Sequence, residues 1–194
     1  MLTFNTDSCF DKDIFKDSCL QAAGSSAPSL IGDIEYDPAI NFELWLAEGD
    51  MRTAANSRFQ KAHQAQHQFI PGQALTVDQL GRICEGPIEL MLGLDVAAVL
   101  DDRTDARPHL TVSGVLFDVK GSAVRPENSF AIPCWKANSG RYDALLLVQH
   151  VRPGLARIWG CKCSPGAGWQ ERPAAMAGKK PFYRIACPDL ASMH

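Results

Sequence analysis

Apolar and polar positions along the chain change period near its middle, and that change sets the expected architecture. Residues 1–40 show little periodicity, with isolated acids and a Gly24-Ser-Ser-Ala-Pro28-Ser stretch, and read as an irregular arm with a short helix near 11–21. Residues 41–68 carry Phe42, Leu44, Trp45, Leu46, Met51 and Phe59 among Ala, Gln, Glu and Arg with no internal proline. They read as a helix, with Gly49 as a possible interruption. Pro71-Gly72 breaks it. Thr76-x-x-Gln79 is a capping box opening a helix over about 77–93, whose apolar stripe is Leu80, Ile83, Cys84, Ile88, Met91 and Leu92. Pro87 should kink or split that helix, and Gly93 should end it.

Beyond Gly93 the runs shorten to strand length. Val96–Leu100 is one, followed by a polar loop at 101–107. His109–Val112 and Val115–Val119 form a hairpin turning at Ser113-Gly114. Ser129–Trp135 is strand-like. Ala144–Val151 is apolar throughout, as a central strand buried on both faces should be. Ala156–Cys163 follows across Arg-Pro-Gly as its hairpin partner, 164–180 reads as a loop, and Phe182–Cys187 as a last strand. The fold class is therefore α/β or α+β: a mixed β-sheet flanked by helices, with an N-terminal helical extension. The division expected is residues 1–70 as arm and extension and 71–194 as core. A length of 194 residues with 46% hydrophobic content suits such an organisation.

Charge sharpens the picture. Up to Asp102 there are six Lys/Arg against sixteen Asp/Glu, a net of −10; from Arg103 onward there are thirteen against six, a net of +7. A basic half suits a phosphate backbone, and an acidic half suits solubility or a protein partner. No apolar run approaches membrane-spanning length, and the start of the chain lacks the basic-then-apolar pattern of a secretory signal. Seven scattered cysteines without a CxxC pair then fit reduced thiols in a cytoplasm. Cys161 and Cys163 fit one face of a strand better than a zinc site. His63 and His67 share a helix face, but without the Glu of HExxH the polar-surface reading is favoured.

The chemistry concentrates in Asp118-Val-Lys120. An acid and a lysine two apart on a strand share a face. The acid can hold a metal, and the lysine can orient or deprotonate water and offset charge on a phosphoryl transition state. The stretch Pro108-His109-Leu-Thr-Val-Ser-Gly-Val-Leu-Phe-Asp118-Val-Lys120-Gly-Ser122 resembles the motif of the PD-(D/E)xK nucleases. Leu80-Gly81-Arg-Ile-Cys-Glu85 resembles the Glu-bearing helix that precedes it. Arg141-Tyr-Asp143 with the apolar run after it, and Pro181–Leu190, resemble the later strands.

The resemblance spans about residues 76–193 and implies several things. The core would be restriction-endonuclease-like. The activity would be cleavage of DNA phosphodiester bonds with Mg²⁺ or Mn²⁺, in a phage-derived protein working in a bacterial host cytoplasm. Asp118, Lys120, Glu85 and His109 would be catalytic, and Asp118, Glu85 and Asp105 would hold metal. Arg82, Arg107, Arg125, Lys136 and Arg141, with Arg103, would contact the DNA backbone. Trp135 could stack on a base or fill the core.

His109 stands where the family's first metal-binding Asp would be, and imidazole is a poor Mg²⁺ ligand. Three readings stay open. His109 ligates Mn²⁺ or works with Asp118; or Asp105, Asp102 or Asp101 replaces the carboxylate; or the site is inactive. In the last case the fold serves as a binding module for nucleic acid or for a protein, such as a phage assembly component, met through the acidic N-terminal region. The plain readings are a solvated Glu85, a surface pair at Asp118 and Lys120, and an Asp143 that caps a turn.

Overall fold

The computed structural model describes residues 1–57, 65, 67–70, 73–93, 110–123, 129–166, 168–173 and 181–187. The strand expected at Val96–Leu100 and the loop at 101–107 lie outside these.

The centre is a six-stranded mixed sheet in the order β1-β2-β9-β8-β6-β5. It comprises β1 (Thr3–Asn5), β2 (Ser29–Glu35), β5 (Leu110–Val112), β6 (Val115–Ala123), β8 (Ala144–Arg152) and β9 (Leu155–Lys162). Strand β8 is central as its composition requires: it runs parallel to β6 and antiparallel to β9, and Ala144 to His150 are all buried. The β5–β6 hairpin turns at Ser113 and Gly114, both with positive φ (48° and 82°), the conformation that matches strand twist in a two-residue turn.

Three helices, α1 (Cys9–Ala23), α2 (Pro38–Ser57) and α3 (Val77–Leu92), share one core with the sheet. Phe15 and Cys19 of α1, Phe42 and Trp45 of α2 and Ile83, Cys84 and Ile88 of α3 meet Phe117, Val119, Leu146 and Val148 there. The alternate residues of the same strands, Leu145, Leu147, Trp159 and Cys161, form a second core on the other face. That face is covered by a three-stranded sheet, β10 (Trp169–Arg172), β11 (Phe182–Ala186) and β7 (Ser129–Pro133), in that order. A short helical turn, α4 (Cys134–Ala137), follows β7. Strands β3 (His67–Ile70) and β4 (Gln73–Leu75) form a separate pair.

Several expectations are corrected. The N-terminal forty residues are not an irregular arm: β1 and β2 are strands of the main sheet, with α1 between them. Asp33 of β2 accepts two bonds from the Arg157 guanidinium of β9, 2.8 and 2.9 Å long. Gly32 permits this edge, because a Cβ there would strike Leu2 O and the Phe4 ring. Helix α2 is described through Ser57, and His67 lies in strand β3 rather than in a helix, so it does not share a helix face with His63, which lies outside the described residues. Gly49 does not interrupt α2 but lets Gln79 of α3 approach. Pro87 does not split α3, which buries Ile83, Ile88 and Met91 on both sides of it. Strand β7 ends at Pro133 rather than running to Trp135, and β10 occupies part of the expected loop at 164–180. The capping box and the left-handed Gly93 stop are as read.

Among the described residues, no helix is long and apolar enough to cross a membrane.

Candidate functional site

Pairing with β8 fixes which way the β6 side chains face. Asp118 lies opposite Leu145 and Lys120 opposite Leu147, both in the core under the small sheet. Phe117 and Val119 face the helices. Asp118 and Lys120 therefore share a face, as their spacing demands, and it is the face away from α3.

Asp118 is fully buried. Lys120 Nζ lies 3.2 Å from its Oδ2, and Lys136 Nζ of α4 donates to its Oδ1 at 2.8 Å. Two ammonium groups thus converge on one carboxylate. The Lys136 and Lys120 side chains remain 11% and 24% exposed, whereas the Asp118 side chain has no exposure. Lys136 also sits 5.0 Å above the Tyr142 ring, a cation–π contact. Burial pulls the Lys120 pKa below the ordinary lysine value; the Asp118 charge opposes this and Lys136 adds to it. The same Asp118 charge, after burial, raises the Tyr142 hydroxyl and helps push the Cys163 thiol up to about 11.

Glu85 does not join this cluster. It lies on α3, across the sheet, where Arg52 of α2 donates to it at 3.0 and 3.1 Å and Arg82 at 3.1 Å. Arg82 is not a phosphate contact either. It is fully buried, with its guanidinium donating to Glu48, Glu85 and Glu89 at 2.6–3.1 Å. The five bonds match the five N–H groups of a guanidinium, so no donor is left for DNA. Sequence reasoning missed this network. Arg82, Glu85 and Glu89 are spaced along one side of α3, but Glu48 and Arg52 come from another helix, and nothing local announces them.

Lys136, expected to contact the DNA backbone, is a direct partner of Asp118. Arg141 is exposed beside Tyr142. His109, Asp105, Arg103, Arg107 and Arg125 lie outside the described residues. Leu110, which follows His109, pairs with Phe117 next to Asp118. Asp143 caps: its carboxylate accepts from Leu116 N at 2.9 Å and its own N–H donates to Leu116 O, tying β8 to β6. Trp135, beside Lys136, is 47% exposed rather than a core residue. Cys161 and Cys163 share the second core, as two residues on one strand face should. A cleft of about 680 Å³ opens at the start of β8, lined by Tyr142, Asp143, Lys162 and Cys163 among others. It borders the cluster through Tyr142 but does not contain Asp118.

Mg²⁺ and Mn²⁺ want several hard oxygen ligands. Asp118 offers one carboxylate, already bonded to two cations, and Glu85 is on the opposite face. Among the described residues, no group of three or more His, Cys, Asp or Glu side chains could hold a metal ion. These residues by themselves do not fit a divalent-metal seat. What they do form is a buried anion carrying two partly exposed cations, which suits an anionic oxygen. No protein-family model, curated protein or solved structure matches the chain.

Proposed function

We propose that this chain is a nuclease-type protein that engages nucleic-acid phosphodiesters, DNA in the first instance, at Asp118, Lys120 and Lys136. One observation carries the reading: two lysine ammonium groups meet on a single buried carboxylate, on the strand that carries the D-x-K motif. With both lysines protonated the cluster has one excess positive charge, and its anion is the most buried of the three groups. A phosphate oxygen arriving from solvent therefore meets ammonium donors first. Asp118 holds both lysines in place and limits their motion, which lowers the entropic cost of gripping a phosphate. Exposed Trp135 offers a face on which a neighbouring base can stack, worth about 1–3 kcal/mol.

Hydrolysis is the first form of this reading, supported by the depressed pKa of Lys120. A less basic lysine is more readily neutral and can take a proton from an attacking water. A P–O bond then forms to that water, and the bond to the leaving oxygen breaks with its electron pair. That oxygen takes up a proton from solvent, Lys136 offsets the charge added in between, and Lys120 later returns its proton to solvent. Binding without cleavage is the second form, and the position of Glu85 across the sheet favours it. Plasmid and single-stranded DNA incubated with the pure protein in Mg²⁺ and in Mn²⁺ distinguish the two. Cleavage that Lys120→Gln lowers at least 100-fold supports hydrolysis. Retention of DNA without cleavage supports the binding form. Absence of both, or cleavage undiminished by Lys120→Gln, would remove the proposal.

A further inference from the structure

We propose that the outer face of α2 is a docking strip for a basic amphipathic helix of another protein. The opposite face of α2 buries Phe42, Trp45, Glu48 and Gly49, and Arg52 ties the helix to Glu85 of α3. The helix has therefore already met its core requirement. Its outer side nevertheless carries Ile40, Leu44 and Met51, which are 66%, 50% and 57% exposed, with exposed Ala47 among them. Single exposed apolar residues are ordinary. These are not scattered: the intervals four, three, four between positions 40, 44, 47 and 51 are the seam spacing of a two-helix coiled coil.

Charge selects the occupant. The strip is bordered by exposed Glu43 and Asp50, and Asp37 is exposed just before the helix. Asp50 accepts from Gln79 Nε2 at 2.9 Å. No lysine or arginine occurs from Pro38 to Met51. A second copy of this chain would bring acids against acids, and an anionic lipid surface would be repelled. A helix with apolar seam positions and Lys or Arg at its flanks is complementary in both respects.

The probe is a synthetic three-heptad helix with Leu at the seam and Lys at the flanking positions, labelled for fluorescence anisotropy, beside a twin with Glu in place of Lys. The full chain should bind the Lys peptide saturably and at least tenfold tighter than the Glu peptide. The double variant Leu44→Gln, Met51→Gln should lose at least tenfold, and Glu43→Lys with Asp50→Lys should reverse the peptide preference. Equal binding of the two peptides, no saturation by the Lys peptide, or undiminished binding by the Gln variant would overturn the proposal. So would a dimer in light scattering that Leu44→Gln dissolves, since the occupant would then be a second copy. A lowered melting temperature in the Gln variant would also overturn it, because the strip would already be serving the fold.

Discussion

His150, on the helix-side face of β8, shows how strongly one buried side chain can couple folding to pH. Its ring is fully buried and stacks on Phe42 at 5.5 Å, and neither ring nitrogen has a hydrogen-bond partner among the described residues. Burial lowers its pKa from 6.5 to about 4. The folded state thus resists a proton that the unfolded chain accepts, so the stabilisation is complete above pH 6.5 and is lost as pH falls toward 4. The shift corresponds to about 3 kcal/mol across that window. Urea unfolding at pH 7 and pH 4.5 should show a fall that His150→Phe reduces; equal falls in both proteins would contradict this. Arg82 is the second residue with a large expected effect. Arg82→Met leaves three carboxylates without their shared cation and should cost about 3–5 kcal/mol in denaturant unfolding, because an uncompensated buried charge is far worse than a missing pair.

At the scale of elements, α2 and α3 approach closely at Gly86. A Cβ on Gly86 would fall inside the Trp45 indole. In an isolated helix Gly→Ala is favourable by about 1 kcal/mol. Here Gly86→Ala should instead lower stability by about 1–3 kcal/mol, since the rigid ring has to move; an unchanged or raised melting temperature would refute the packing. The elements legible in the sequence were those with a local signature. The Thr76–Gln79 box, the Ser113-Gly114 turn and the unbroken apolar run of β8 each encode their own structure. Strand β2 was illegible because Gly32 and Asp33 interrupt its apolar pattern, and what holds them is distant: a close pass by Leu2 and the Arg157 guanidinium. Helix α1 was only partly legible, because acids dilute its buried Phe15, Cys19 and Ala22. The site divides the same way. Asp118 and Lys120 follow from strand alternation, whereas Lys136 reaches Asp118 only through tertiary packing, and Glu85 is drawn off by Arg52 and Arg82.

On the scale of the whole molecule, the first residues close the edge of the sheet that carries the site at its other end. Strands β1 and β2 extend the ladder of β9 and β8, so removing residues 1–36 should abolish cooperative thermal unfolding rather than trim an appendage. A sharp calorimetric transition in the truncated chain would show that residues 37–194 fold without β1, α1 and β2. The same organisation separates the charges: α2 presents acids on the helix layer, while Lys120 and Lys136 lie on the opposite face of the sheet. Nucleic acid and a basic protein partner would then meet different faces of the protein. The central claim is that Lys120 and Lys136 hold a phosphodiester. Equilibrium binding of labelled DNA by anisotropy across a salt series tests it most directly, with wild type beside Lys120→Gln and Lys136→Gln. The account predicts salt-dependent binding that each substitution weakens about tenfold, with the log–log salt slope reduced by about one in each variant. Wild-type affinity and slope in both substituted proteins, with their folds intact, would contradict it.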